Sequence, residues 1–359
     1  MDTMGSVKHM KKNWKESLIQ PSSTVEDARR VIDRSSMRIA LVVDERNRLL
    51  GIITESDFRK GILQRIPLDS CVTEIMNASP KTSLLTEVET KVAQFFEETR
   101  LMHLPVIDED GILVDVEYYD EHLKISKQDN WVVIMAGGLG GRLRPLTEDI
   151  PKALLKVGSK PILERIIENC ENYGFSKFFL SVHYKAEMIE EYFSNGSAWG
   201  IQIEYLKEKK QMGTAGALSL LSEIPSKPFF VINGDLLTDL NFQDLVNFHS
   251  EHKVFATMCI REYEFVVPYG VVRTKDGKIE EIDEKPLHSF FVNAGIYLFE
   301  PEVLELVPQD SYLDMPDLFK LIIDSGKDTA VFPIREYWMD VGRIDDYRRA
   351  DGEINNIGK

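Results

Sequence analysis

The chain of 359 residues is 43% hydrophobic, enough to bury a large core and, at ordinary domain sizes, enough for two. Its 59 acidic side chains against 43 basic ones leave a formal charge of -16, which repels phosphate backbones and anionic lipid, so nucleic acid and membrane surfaces are excluded as general partners and any phosphate must be gripped locally. Cys71, Cys170 and Cys259 stand in no metal-ligand spacing and read as small buried hydrophobes of a reducing compartment; no apolar run follows Lys8, Lys11, Lys12 and Lys15 as a signal or approaches a membrane span, so a cytoplasmic protein is expected.

In chain order, the first feature is a repeat. Residues 38–62 (RIALVVDERNRLLGIITESDFRKGI) recur in weaker form at 102–125 (MHLPVIDEDGILVDVEYYDEHLKI). Each copy runs from an apolar stretch through an acidic turn to a second apolar stretch and an acidic helix start, which predicts strand, turn, strand, helix. Asp44 and Asp108 mark the two turns, 64 residues apart, and helical apolar spacing covers 24–33 and 84–99. A unit of about sixty residues is too small to close a core alone, so the copies are expected to pack on one another. A polar stretch at 126–130 (SKQDN) then precedes the buried strand Trp131-Val132-Val133-Ile134-Met135, and the joint between domains is expected there. The division is 1–127, with repeats at about 12–66 and 72–125, and 130–359.

Beyond the joint, strand-like runs at 178–182, 201–206, 229–232 and 255–260 alternate with helical patterns. The best marked helix, 161–173, opens on Pro161, has one apolar face in Ile162, Leu163, Ile166, Ile167 and Cys170, and stops at Gly174. Such alternation means βαβ units and a mostly parallel sheet, whose ligands bind beyond the carboxyl ends of the strands.

The first strand runs directly into Ala136-Gly137-Gly138-Leu139-Gly140-Gly141-Arg142, with Pro151-Lys152 close behind. A glycine-rich turn after a strand can cradle phosphate, because no Cβ obstructs the approach and backbone N–H groups can face an anion. Two common versions fail. A dinucleotide fingerprint from Gly138 requires glycine at 143, where Leu143 sits, and a P-loop from Gly137 requires Lys then Ser or Thr where Arg142 and Leu143 stand.

The run from Gly137 to Thr147 with Pro151-Lys152 is followed in order by Asn233-Gly234-Asp235, Tyr269-Gly270-Val271-Val272, Glu284-Lys285-Pro286, Asn293-Ala294-Gly295 and Trp338-Met339-Asp340-Val341-Gly342. This set resembles the signature of the sugar-1-phosphate nucleotidyltransferases from about residue 131 onward. The front of the chain, with Leu50-Gly51-Ile52-Ile53-Thr54-Glu55-Ser56-Asp57, resembles a tandem CBS pair, a Bateman module, over about 12–125. The implied fold is α/β: a Rossmann-like, mostly parallel nucleotidyltransferase domain preceded by an α+β CBS module.

The resemblance implies an enzyme of nucleotide-sugar and polysaccharide biosynthesis that joins a nucleoside triphosphate to a sugar 1-phosphate. It places Ala136, Gly137, Gly138, Gly140, Gly213 and Thr214 around the nucleotide, Arg142 on the leaving phosphates and Lys152 at the α-phosphate. Gly270, Glu284, Lys285 and Asn293 would hold the sugar phosphate, and Asp235 and Asp340 would share a Mg²⁺. Glu208 lies where the family reads the base. A carboxylate only accepts hydrogen bonds, and guanine offers two adjacent donors where uracil and thymine offer one, so GTP is favoured over UTP, dTTP or CTP. Gly141, Ala153 and Leu236 depart from the common Thr or Ser, Pro and Asn, and none of these removes a charged group.

In the first CBS copy Thr54 and Asp57 would bind a regulatory nucleotide. In the second, Glu117 stands in the Thr position and Asp120 remains. The GTAGAL and NGDLLTDL stretches are similar to mannose- and heptose-1-phosphate guanylyltransferases, and a CBS pair ahead of a short catalytic region is similar to the glucosamine-1-phosphate guanylyltransferases of legionaminic-acid synthesis. CBS modules commonly pair, which implies a homodimer or larger homo-oligomer. A reading of another class is a non-catalytic nucleotide-sensing scaffold; retention of Arg142, Lys152, Asp235, Lys285 and Asp340 together argues against it.

Overall fold

The computed structural model describes residues 13–35, 37–87, 101–118 and 127–357, and the chain divides into two units, Met1–Lys124 and Ile125–Lys359. In the first unit the repeat is visible as geometry. Strand β1 (Leu18–Ile19) runs parallel to β2 (Ala40–Val43), which pairs antiparallel with β3 (Leu49–Ile53). In the second copy β4 (Ser83–Leu84) runs parallel to β5 (His103–Ile107), itself antiparallel to β6 (Leu113–Tyr118). Both copies carry a register shift at the same place, between Val42 and Val43 and between Val106 and Ile107. Both turns close identically: Asp44 Oδ1 accepts from the N–H groups of Arg46 and Arg48 at 2.9 and 2.8 Å, and Asp108 Oδ1 from those of Asp110 and Ile112 at 3.0 and 2.8 Å. These are Asx turns, the local reason for aspartate there.

The copies do pack on each other. Met37, Ile39, Leu41, Val43 and Ile52 share one cluster with Leu113 and Val116, and backbone bonds cross between Leu49 and Gly111 and between Leu113 and Asn47. The register corrects one residue assignment. Ala40 pairs with Ile53 and Leu104 with Glu117, so Glu117 occupies the place of Ile53, and Tyr118 is the residue standing where Thr54 does. The strand β6 continues one residue further than β3, which a comparison of motifs alone does not register. Asp120, and most of the helix expected over 84–99, lie outside the described residues; what is described of that helix is the end of β4 and a 3-10 turn, Leu85–Glu87.

The second unit is built on β7 (Gln128–Met135), a small hairpin of β8 (Lys156–Val157) and β9 (Lys160–Pro161), β10 (Phe175–Val182), β11 (Gln202–Lys207), β12 (Phe229–Asn233), β13 (Leu236–Thr238), β14 (Ala256–Val266), a hairpin of β15 (Gly270–Lys275) and β16 (Lys278–Glu284), β17 (Leu287–Phe299), β18 (Thr329–Pro333) and β19 (Trp338–Asp340). The main sheet has the order β11-β10-β7-β12-β17-β14-β18. Neighbours are parallel except around β17, which is antiparallel to both β12 and β14. Alternation explains why both faces are covered. Val132, Ile134, Phe230 and Ile232 point into one cluster with the helix Ile162–Glu171, while Trp131, Val133, Phe229 and Val231 point into another with the helix Met315–Asp324. A continuous apolar strand needs a layer on each side.

Two expectations change in detail. Gln128, Asp129 and Asn130, read as a joint, are the first residues of β7, and buried Asn130 donates from Nδ2 to the Pro228 carbonyl at 2.7 Å. Cys170 and Cys259 are buried as expected, but Cys71 is exposed, because the 3-10 turn Val72–Glu74 buries Val72 and leaves its neighbour outside. Among the described residues no helix is long and apolar enough to cross a membrane.

His249, on the helix Phe242–His252, is 1% exposed and its Nδ1 meets Thr257 Oγ1 at 2.7 Å. Glu300 Oε1 comes within 3.3 Å of Nε2. Burial pushes the imidazole down to about 4, so it is neutral in the folded chain at neutral pH. Stability from this group is fully present above its unfolded value near 6.5 and is lost as pH falls toward 4, at a cost of about 1–3 kcal/mol. Glu300, raised by burial and by Glu302, works in the opposite direction. Replacing His249 with Asn is therefore expected to flatten the loss of denaturant stability between pH 6.5 and 4.5; an unchanged slope would remove His249 as its source.

Candidate active site

The site grows from the end of β7. The Ala136 N–H donates to the Ser181 carbonyl at 2.9 Å, which ties the start of the glycine loop to β10. Gly140 has φ 63°, and a Cβ there would lie 2.7 Å from Thr147 Cγ2, while Thr147 Oγ1 donates to the Gly140 carbonyl at 2.8 Å. Only glycine combines that backbone with that contact. Around positions 138 and 141 nothing lies within 4 Å of a would-be Cβ, so this part of the loop is open to an approaching group.

Lys152 opens a 3-10 turn after Pro151, and its Nζ donates to Asp235 Oδ2. Asp235 follows β12 directly, and Asp340 ends β19, which pairs with β13 so that Leu236 faces Asp340 and the Val341 N–H donates to the Asp235 carbonyl at 2.9 Å. Two carboxylates therefore stand on neighbouring strands at the ligand end of the sheet. Asp340 reaches solvent, yet its carboxyl is held above the usual range by the protein crowded around it and then by Asp235; Lys152 and Arg142 pull the other way, and Asp346 adds to the rise. Arg142 is placed beside it: a Cβ at Gly342 would lie 3.2 Å from Asp340 Oδ1 and 3.7 Å from Arg142 Nη2. Asp235 Oδ1 is buried with no hydrogen-bond partner among the described residues. A desolvated carboxylate oxygen is costly unless something positive meets it, so this atom fits a cation. Among the described residues no group of three or more His, Cys, Asp or Glu side chains is placed so that it could hold a metal ion by itself. A pair of carboxylates suits Mg²⁺, which keeps several waters and takes substrate oxygens, better than a metal needing a full protein cage.

The residues assigned to the nucleotide form a wall beside the loop. Glu208, just after β11, accepts from Ser181 Oγ at 2.6 Å and from the Met212 N–H at 3.0 Å, and a Cβ at Gly137 would lie 2.7 Å from its Oε1. Gly213 and Thr214 begin a short helix clamped by the segment before Met315: the Thr214 N–H donates to Asp314 Oδ1 at 3.0 Å, Thr214 Oγ1 accepts from the Met315 N–H at 2.8 Å, and the Leu313 carbonyl accepts from Ala215 and Gly216. The Thr214 side chain thus holds the wall in shape. Ser181 was missed by sequence reasoning, and His183, by sequence alone, reads as a structural or surface histidine. Ser181 is fully buried, and His183 packs against Gly137 with a buried, unpartnered Nδ1. The one signal for Ser181 was a hydroxyl set into the apolar stretch Phe178–Val182 just before the end of β10.

The residues assigned to the sugar phosphate divide into two places. All four are exposed: Gly270, Glu284 and Lys285 belong to an arm made by the hairpin β15–β16 and the extended ends of β14 and β17, whereas Asn293 pairs with Ile260 in the main sheet, two residues before Gly295, where a Cβ would meet Asn233 at the end of β12. Lys285 has φ 52°, a left-handed conformation that costs a non-glycine residue energy and often marks a functional position. Asn293 Nδ2 donates to the Tyr297 hydroxyl at 2.6 Å. The structure brings Arg142, Lys152, Asp235 and Asp340 together and leaves Lys285 apart on the arm.

In the first unit Thr54 is the N-cap of the helix Glu55–Leu63, and its N–H and Oγ1 both donate to Asp57 Oδ2, at 2.9 and 2.7 Å. Thr24 and Asp27 do the same at the helix Val25–Arg34, at 3.0 and 2.8 Å. A capping box accounts for both pairs locally.

Residues 131–356 match the family described as nucleotidyl transferase, and residues 14–64 match the CBS domain. UTP–glucose-1-phosphate uridylyltransferase of Synechocystis sp. is 37% identical over 252 residues, which is 63% of this chain and 64% of that protein. Mannose-1-phosphate guanyltransferase beta-A of Xenopus laevis is 35% identical over 223 residues, 60% of this chain and 62% of that protein. The chain thus spans a little under two thirds of the length of these relatives. The crystal structure of HddC from Yersinia pseudotuberculosis is 27% identical with a TM-score of 0.51, covering 63% of this chain and 99% of that one. A putative glucose-1-phosphate thymidylyltransferase from Bacillus anthracis, 23% identical with a TM-score of 0.51 over 62% of this chain and 94% of its own, shares the fold.

The charge arrangement has an order of consequences. Lys152→Met leaves Asp235 and Asp340 facing each other and is expected to lower stability by about 1–3 kcal/mol. Asp235→Asn costs less, because Lys152 retains Asp340 as a neighbour, and adding it to Lys152→Met should recover part of the loss. Thermal denaturation of the three variants is the measurement; a double variant as weak as the sum of the singles would mean the groups do not interact.

Proposed function

The chain belongs to the nucleotidyl transferase family, and from that premise we propose that it joins a nucleoside triphosphate to a sugar 1-phosphate, giving a nucleotide-diphosphate sugar and pyrophosphate. The observation that carries the reading is the convergence of Arg142, Lys152, Asp235 and Asp340 beside an open glycine loop at the carboxyl end of a parallel sheet. An oxygen of the sugar phosphate forms a bond to the α-phosphorus while the bond to the bridging oxygen breaks, and the electron pair leaves with pyrophosphate. A phosphate with a second pKa of about 6 is already ionised, so no general base is required. What the chain must supply is position and positive charge.

The loop that starts at Ala136 receives the triphosphate on the backbone N–H groups of Gly137 to Gly141, Arg142 holds the leaving phosphates, and Lys152 meets the charge growing at the α-phosphate. Asp235 and Asp340 would hold Mg²⁺, which when bound offsets phosphate charge. Lys285, with Gly270 and Glu284, presents the sugar phosphate from the arm, and Asn293 meets it from the main sheet. Relatives bear both uridylyl and guanyl names, so the base rests on Glu208, whose acceptor-only carboxylate favours guanine. Among sugars, glucosamine 1-phosphate, as in legionaminic-acid synthesis, is the proposed substrate on the order of domains, with mannose and heptose 1-phosphates as the nearest alternatives. The CBS pair would regulate through an adenine or guanine nucleotide at Thr54 and Asp57, or join the chains as a dimer.

Pyrophosphate release across a matrix of GTP, UTP, dTTP and CTP against these sugar 1-phosphates is expected to peak with GTP. Asp340→Asn should lower turnover at least a hundredfold while the circular dichroism spectrum is retained. Activity near that of the parent would overturn the metal assignment, and no release with any pair would favour the sensing scaffold.

The two capping boxes provide a control for the CBS site. Asp27→Ala and Asp57→Ala should each cost about 1 kcal/mol through the lost cap. Only Asp57→Ala should abolish the rise in melting temperature produced by ATP, ADP, AMP or GTP in the presence of saturating catalytic substrates. Equal responses in both variants would leave Asp57 a cap and nothing more.

A further inference from the structure

Glu208 sits in the run Lys207-Glu208-Lys209-Lys210, where a glutamate would ordinarily swing among many rotamers in solvent. Two neighbouring ammonium groups turn away from it: Lys207 pairs with Glu190 at 2.8 Å and Lys210 with Asp310 at 3.3 Å. Glu208 instead faces inward. Its Oε1 accepts from Ser181 Oγ at 2.6 Å, its Oε2 from the Met212 N–H at 3.0 Å, and its own N–H donates to the Val182 carbonyl at 3.0 Å. Ser181 is fully buried at the end of β10, the strand between β11, which leads into Glu208, and β7, which leads into the glycine loop. The same residue serves both sides: its carbonyl accepts from Ala136 and its hydroxyl donates to Glu208.

We propose that Ser181 is the positioning residue that sets nucleobase choice, by latching the Glu208 carboxylate in one orientation against the glycine loop. This rests on the reading of Glu208 as the group that meets the base. A carboxylate has about four lone-pair sites on its two oxygens. The Ser181 hydroxyl and the Met212 N–H take one on each oxygen, which leaves one on each, matching the two adjacent donors of a guanine edge. The contact with Gly137 extends the constraint to the phosphate loop, because any larger residue at 137 would push Oε1 off its hydroxyl. Without the hydroxyl the carboxylate loses a bond made to a charged acceptor while Met212 alone holds the other oxygen, and the nucleotide meets a mobile group.

The test is a double-mutant cycle on the full chain with Ser181→Ala, Glu208→Gln and the pair, measuring KM for each nucleoside triphosphate, KM for the sugar 1-phosphate and the GTP to UTP ratio of kcat/KM in competition. Ser181→Ala is expected to raise KM for the preferred nucleotide roughly tenfold, with KM for the sugar 1-phosphate within about twofold of the parent. In the Glu208→Gln background the same change should do little more, since coupled residues are non-additive. Ser181→Cys, which keeps a weak donor and nearly the same volume, should fall between parent and Ala and covers the case in which the Ala variant does not fold. Independent, additive effects, or an unchanged nucleotide KM in both Ser181 variants, would overturn the latch. A parent enzyme that prefers UTP would instead overturn the guanine reading, and the coupling would still decide whether Ser181 acts through Glu208.

Discussion

Two carboxylates on neighbouring strands at one end of a sheet repel each other unless a cation or a shared proton stands between them, and the charged groups of the second unit are arranged around that condition. Asp235 and Asp340 are brought together by the β13–β19 pair, and the Asp340 carboxyl is held up first by the protein crowded around it and then by Asp235. Lys152 supplies the compensating charge from a turn that begins at Pro151, and Arg142 lies beside Asp340 near Gly342. Both cations come from the segment that follows β7, so the loop suited to phosphate and the groups suited to its charge arrive on one stretch of chain.

The sheet makes this arrangement stiff. Central strands with apolar residues on both faces are pinned between two helical layers, so their carboxyl ends can hold charged and polar groups at fixed separations. Ser181, between the loop and Glu208, is an instance: a buried hydroxyl at the last turn of an apolar strand has few conformations open to it and holds what it touches. The arm of β14 to β17 is built differently. Its Tyr263, Phe265 and Phe290 are exposed, its strands pair mainly with each other, and its lysine at 285 is held in a left-handed backbone.

In the CBS unit the repeat could be read because its marks are local. An Asx turn needs only its own aspartate and the next few N–H groups, so Asp44 and Asp108 declare the same turn wherever they stand. The pair Thr54 and Asp57 is a different case. Thr24 and Asp27 make the same bonds at a site with no motif resemblance at all, so the spacing by itself speaks for a helix start before it speaks for a ligand.

The amino-acid sequence by itself determined several elements of the second unit. Continuous apolar runs marked its central strands, Pro161 and Gly174 bounded a helix, and the glycines after Met135 marked a loop whose turn at Gly140 only glycine allows. The four charged residues of the site were legible too, because they sit in short motifs attached to strand ends. The tertiary structure decided what those residues touch: Lys152 and Asp235, 83 positions apart, form one pair, Ser181 and Glu208, 27 apart, form another, and Tyr118 rather than Glu117 stands in the place of Thr54. The physical reason is the range of the forces. Backbone preference and turn chemistry act over a few residues and can be read along the chain, whereas a hydrogen bond between strand ends exists only once sheet order and register have brought the two together.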